Sequence, residues 1–153
     1  MTTALKEPRR LRFRRGLHRL YIPYYDKLCA ILGDNWQPIS GFRSIPEQAR
    51  LYAQGRTVPG PIVTKAPPGL SFHNYGLATD WDYFVDGDYK ALPANDVLWE
   101  DYFDACDTIG LRCLHWEKPH NEAPVQVSIH DLKREFETNG IRGLDALIEK
   151  GLA

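Results

Sequence analysis

The stretch SFHNYGLATDWDYFV, Ser71 to Val85, decides how the rest of the chain is read. From Leu77 to Val85 it alternates and is rich in aromatics. That predicts a strand with Ala78, Asp80, Asp82 and Phe84 on one face. Gly76 stands just before the strand and lets the backbone fold back, so His73 and Asp80 can face the same point. An imidazole nitrogen and a carboxylate oxygen suit zinc, with room for a third ligand and an open water position. A turn histidine bonded to a strand aspartate would look the same, so a third ligand decides between the two.

Working outward, the apolar residues from Leu17 to Leu32 recur at helical spacing, and Pro23 confines the helix mainly to the residues after it, with a stop at Gly33. PISGF (Pro38 to Phe42) reads as extended. Ser44 with Glu47 forms a capping-box pattern that starts a helix running through Tyr52 to Gly55. Residues 56–70 hold four prolines and two glycines and read as a long loop, a kind that usually carries function. After a turn at Asp86-Gly87-Asp88, an amphipathic helix is expected over Asn95 to Ile109, closed by Gly110. Leu111–Trp116 and Pro124–Val127 read as short strands. Ser128 with Asp131 caps a helix to about Glu137, stopped at Asn139-Gly140, and a last helical segment covers Leu144 to Lys150. Strands and helices without regular alternation indicate an α+β fold with a small, mostly antiparallel sheet and helices packed on one side.

At 153 residues one domain is expected over 1–153, with a basic N-terminal arm (about 1–15) and a C-terminal helical extension (about 128–153). The net charge of -1 gives no global attraction to nucleic acid, so no nucleic-acid partner is expected. The arm, with Arg9, Arg10, Arg12, Arg14 and Arg15, is the exception and suits an anionic polymer. The three cysteines form no C-x-x-C pair, which argues against a disulfide framework or a thiolate zinc site. No apolar run approaches the roughly 20 residues that span a bilayer, so no membrane insertion is expected. An apolar signal region is also missing, so a cytoplasmic site of synthesis is expected.

The pattern S-x-H-x-x-G-x-A-x-D over Ser71–Asp80 resembles the first metal-binding motif of the zinc D-Ala-D-Ala carboxypeptidase and L-alanyl-D-glutamate endopeptidase family. Ser40-Gly41-Phe42-Arg43-Ser44, Glu47-Gln48, LYAQGRTVPG and Val63-Thr64 extend the likeness, in order, to its phage endolysin branch from about Pro38 to Tyr83. The resemblance implies the carboxypeptidase-like (hedgehog/DD-peptidase) fold and a Zn2+ cofactor held by His73 and Asp80. It also implies Arg43 as stabiliser of the oxyanion, and Gln48, Ser71 and Tyr75 on the substrate side, Gln48 orienting Arg43 or substrate. The partner it implies is the peptidoglycan stem peptide, cut at L-Ala-D-Glu in preference to D-Ala-D-Ala. The setting is a phage lysin made in the host cytoplasm and released to the wall, or carried in a virion among virion proteins.

The family's third ligand is a histidine with an acidic base three residues before it, and Glu117-Lys118-Pro119-His120-Asn121-Glu122 matches, giving His120 as ligand and Glu117 as general base. A second register, anchored on Trp116 and Gln126, puts Asn121 at the acid and Pro124 at the ligand. That register describes a non-catalytic wall-binding or virion module. His115 is a reserve ligand. Cys113 with His115 could form a thiol site, although no oxyanion motif accompanies it.

Overall fold

A computed structural model describes residues 6–152 of the chain. Residues 1–5 of the expected arm and Ala153 lie outside the described residues. The central strand is β2 (Ala78–Val85), as its alternation predicts. On one side it pairs with β1 (Trp36–Ser40), and at its far end with the two-residue β3 (Asp88–Tyr89). On the other side lies β5 (Glu117–Glu122), followed by β4 (Arg112–Leu114). The order β1-β2-β5-β4 is antiparallel throughout. The chain therefore has the α+β architecture, with a small antiparallel sheet, that its sequence indicates.

Three helices follow expectation closely. Helix α2 (Ile22–Ile31) carries Pro23 in its first turn, where the missing N–H costs nothing. Helix α3 (Ile45–Ala53) is capped by the Ser44 hydroxyl, which accepts from the Glu47 amide at 3.2 Å. Helix α4 (Leu98–Ile109) ends on Gly110 in the left-handed conformation at φ 84°. One face of β2 sends Thr79 and Trp81 toward α2 and α4. Trp81 packs on Tyr25, and Thr79 meets the Tyr21 hydroxyl at 2.8 Å. Tyr21, Tyr25, Leu28, Trp81, Tyr102 and Cys106 are almost fully buried there. Each large apolar side chain so placed stabilises the fold by roughly 1.5–3 kcal/mol. The other face carries Asp80.

Two expectations need correction. The basic arm does not stand free where it is described: Arg9–Arg14 form a short helix, α1, packed against β1. Arg10 donates to the carbonyls of Cys29, Leu32, Gly33 and Trp36 at 2.7–3.1 Å, satisfying the C-terminal end of α2. Secondly, the strand expected at Pro124–Val127 lies earlier, at Glu117–Glu122, within what reads as a polar turn. The Val125 side chain is buried without strand pairing, and the Gln126 amide donates to Gly151 O at 2.9 Å. The C-terminal region follows expectation: two helical segments, together α5 (Ile129–Leu152), are separated by a break at Gly140, where φ 65° and ψ −155° leave the helical region. That break falls at the expected Asn139-Gly140 stop. Among the described residues no helix is long and apolar enough to cross a membrane.

Candidate metal centre

Strand register brings two of the predicted ligands together. Asp80 on β2 lies directly opposite His120 on β5. Each sits beside an irregularity. Ile39 is an extra residue in β1 next to Asp80, and β5 bulges between Glu117 and Asn121 against Cys113 and Leu114. Such bulges re-aim side chains without ending the sheet. The first brings Ser40 opposite Asp80; beside the second, Glu117 and His120 line the same cavity.

His73 comes from a single 3₁₀ turn, Phe72–Tyr75, that leads into β2. Its start is fixed by Ser71, whose hydroxyl accepts from the His73 amide at 3.3 Å, and by the Asn74 side chain, which accepts from the Ser71 amide at 3.3 Å. Its end is Gly76 at φ 68°. A side chain there would place Cβ 2.5 Å from the His18 nitrogen and 2.7 Å from the Gly16 oxygen, so only glycine permits this approach. Residues far along the chain support the turn from behind. Phe136 of α5 packs edge-on against Tyr75, the aliphatic part of Lys133 lies over Gly69, and His18 meets Asp145 at 2.5 Å.

The ligand atoms of His73, Asp80 and His120 all lie within 4.8 Å of one another. Each imidazole is already oriented by its other nitrogen. His73 Nδ1 lies 2.8 Å from Gly41 O, where it can only donate, which leaves Nε2 as the acceptor nitrogen 3.4 Å from Asp80 Oδ1. His120 Nε2 lies 3.5 Å from Glu122 Oε1, leaving Nδ1 toward Asp80 at 3.2 Å. Glu122 is in turn held by Arg112 at 3.0 Å. Outer partners of this kind fix the tautomer and ring angle of metal-binding histidines. Two nitrogens and one carboxylate on a buried, pre-oriented face fit zinc in a site with three protein ligands.

Burial opposes charge on His120, but hydrogen bonds to Asp80 and Glu122 outweigh it and raise its pKa to about 10. Burial would likewise raise the Asp80 carboxyl, yet the neighbouring His73 and His120 hold it well below the usual carboxylate range. This is a site built for positive charge.

Arg43 stands beside the cluster. Its guanidinium donates to Gln48 Oε1 at 3.0 Å, to Ser40 Oγ at 3.1 Å and to Asp80 Oδ2 at 3.4 Å. Its backbone is sewn to the metal turn through the His73 carbonyl at 3.0 Å and the Asn74 side chain at 3.1 Å. Gln48 is fully buried and also donates to Ala66 O at 2.8 Å, so it orients Arg43 and anchors the 56–70 loop instead of meeting a ligand itself. Glu117 is exposed at the wall of a cavity of about 540 Å³ that Arg43, Ser71, His73, Asp80 and His120 also line.

Other candidates lie elsewhere. Tyr75, expected on the substrate side, is buried. Its hydroxyl donates to Gly69 O at 2.6 Å and its ring faces Phe136, so it shapes the turn and lines no part of the cavity. His115 stacks on Phe103 at 4.4 Å, away from the cluster. The second register fails geometrically for Asn121, which points into the core and bonds Tyr21, Thr79 and Tyr102 at 2.6–3.0 Å. Glu122, matched in the sequence only as the last residue of the Glu117–Glu122 pattern, gains a role as the partner of His120. Its signal was its position two residues beyond His120, on the same face of an antiparallel strand.

Residues 26–93 match the model of the VanY family, described as D-alanyl-D-alanine carboxypeptidase. The match covers less than half of the chain. The matched segment contains Arg43, Gln48, Ser71, His73 and Asp80 and ends before β5. The chain is also 51% identical over 66 residues to the peptidoglycan L-alanyl-D-glutamate endopeptidase CwlK of Bacillus subtilis (strain 168). That alignment covers 42% of this chain and 34% of CwlK, so the chain spans about a third of the relative it matches. The placement of Glu117 and His120 thus comes from the fold, beyond the reach of the VanY-family match.

Proposed function

We propose that this chain is a zinc-dependent peptidoglycan peptidase that hydrolyses an amide of the stem peptide, with L-Ala-D-Glu preferred over D-Ala-D-Ala. The observation that carries it is the convergence of His73 Nε2, Asp80 and His120 Nδ1, with the far nitrogen of His73 bonded to Gly41 O and that of His120 facing the Glu122 carboxylate. When bound there, zinc would supply Lewis-acid polarisation and a lowered pKa for water.

The chain's own residues do the rest. Glu117, on the cavity wall, takes the proton of the attacking water and passes it to the leaving amine. Arg43, locked by Gln48 and Ser40, offers fixed donors to the oxygen on which negative charge develops. The His73 turn and β5 hold the ligands in place before substrate arrives. The likeness of the chain to CwlK supports the preference for the L-Ala-D-Glu bond. The biological setting we propose is a phage lysin that acts on the host wall after release, or from a virion.

The test is digestion of purified muropeptides by the zinc-loaded protein, with products identified by mass spectrometry. Cleavage should stop with a chelator, return with zinc, and fall by a factor of about a hundred or more in Glu117→Gln, which keeps the metal. Full cleavage by Glu117→Gln would remove Glu117 from its role, and absence of cleavage by the zinc-loaded wild type would remove the assignment.

A further inference from the structure

Three of the four tryptophans are buried, Trp36 at 4%, Trp81 at 0% and Trp99 at 2% exposure, while Trp116 is 83% exposed. It sits at the tip of the β4–β5 hairpin, and the tip is pinned. His115 stacks on Phe103 at 4.4 Å and the Lys118 ammonium lies 5.2 Å from the same ring. Gripping the flanking residues on α4 leaves Trp116 on the wall of the metal cavity, next to Glu117 in the chain, and Ile62 and Val63 of the 56–70 loop line the same cavity. Those two are also exposed, at 57% and 53%. An indole this exposed at the mouth of a polar cavity adds little burial to the fold, and Trp is enriched among the residues that anchor binding partners.

We propose that Trp116 is a stacking platform for the muramyl sugar ring that carries the stem peptide, and that this contact selects the amide nearest the glycan. The inference rests on the reading of the cavity as a stem-peptide site. Both candidate bonds place a free carboxylate on the amine side, and Arg43 and Lys65, which supply the positive charge of the cavity, suit either. The acyl sides differ. Before the L-Ala-D-Glu bond there is one residue and a lactyl link, about 7 Å of chain, and then a neutral pyranose with an apolar face. Before the D-Ala-D-Ala bond there are four residues and the same link, about 17 Å. The cavity volume corresponds to a sphere about 10 Å across. A sugar bound at its rim therefore fits the nearer bond and not the farther one.

The test has two arms. In the first, hydrolysis by the zinc-loaded wild type is compared on a muramyl-peptide and on the same peptide capped with acetyl in place of the sugar. The wild type should show a KM about tenfold lower for the muramyl substrate. In Trp116→Ala that preference should collapse toward one, and Trp116→Phe should restore most of it. The second arm needs no turnover: binding of N-acetylmuramyl-L-alanine to zinc-loaded Glu117→Gln, read by tryptophan fluorescence and calorimetry, should be lost when Trp116→Ala is added. Sugar binding without any hydrolysis would keep the platform and sink the peptidase reading. Equal KM values for the two substrates, or N-acetylmuramyl-L-alanine binding unaffected by Trp116→Ala, would overturn the platform even if the peptidase reading stands. A preference for peptides bearing a free diamino-acid side chain would assign Trp116 to a cation instead, and would also overturn it.

Discussion

Replacing Gly76 with alanine tests how the metal turn is supported, because the cost can be worked from three separate terms. The residue is left-handed at φ 68°, which costs a residue with a Cβ about 1–2 kcal/mol. The new Cβ would stand 2.5 Å from the His18 nitrogen and 2.7 Å from the Gly16 oxygen. Both are backbone atoms that cannot rotate away, and relieving such overlap typically costs about 1–3 kcal/mol. Relief means separating the two segments, which stretches the hydrogen bond from the His18 amide to Gly76 O, now 2.9 Å and worth about 1 kcal/mol. The sum is about 3–6 kcal/mol, a large part of the 5–15 kcal/mol typical of a domain. Gly87 provides the control: its φ is 82° but nothing lies within 4 Å of the position its Cβ would take, so Gly87→Ala should show the backbone cost alone. Urea denaturation of the metal-free proteins measures both. Gly76→Ala should be less stable than Gly87→Ala by at least about 2 kcal/mol, with a melting temperature lower than wild type by on the order of 10 °C. Equal losses in the two variants would refute the claim that residues 16–18 clamp the metal turn.

Zinc at a hundred times its dissociation constant should stabilise the wild type by about 2.7 kcal/mol in thermal or chemical unfolding, and His120→Ala should lose that gain. Asn121→Ala should cost about 2–4 kcal/mol in denaturant unfolding, since it removes a buried amide that serves Tyr21, Thr79 and Tyr102. In the metal-free protein the raised pKa of His120, about 10 against an unfolded value near 6.5, has a definite sign. Its contribution is complete below about pH 6.5 and is lost as pH rises through about 10, so denaturation between pH 6 and pH 10 should show a decline that His120→Gln flattens.

How far the sequence could be read depends on where local pattern and tertiary environment agree. Strand β2 was legible because its alternation of Ala78, Asp80, Asp82 and Phe84 against buried aromatics is what a strand between two environments requires. The helices α3 and α4 announced their ends through Ser44 and Gly110. Strand β5 was not legible as a strand, because a run of charged residues with Pro119 has no apolar alternation. One of its faces is the metal site, where His120 and Glu122 stand, and its core face presents the amide of Asn121 instead of an apolar side chain. The same polar character concealed α1: an arginine-rich segment reads as solvated, yet Arg10 spends its donors on four backbone carbonyls. Tyr75 misled for the opposite reason. It adjoins His73 in sequence, but the 3₁₀ turn directs the two rings to different sides, one to Asp80 and one to Phe136.

The central claim is that β2, β5 and the 71–76 turn assemble one three-ligand metal centre from His73, Asp80 and His120. Diffraction at the zinc edge from crystals grown with zinc tests it most directly. One dominant anomalous peak is expected about 2.0–2.2 Å from His73 Nε2, an Asp80 carboxylate oxygen and His120 Nδ1. A peak that omits His120, or zinc bound only at other residues, would contradict it.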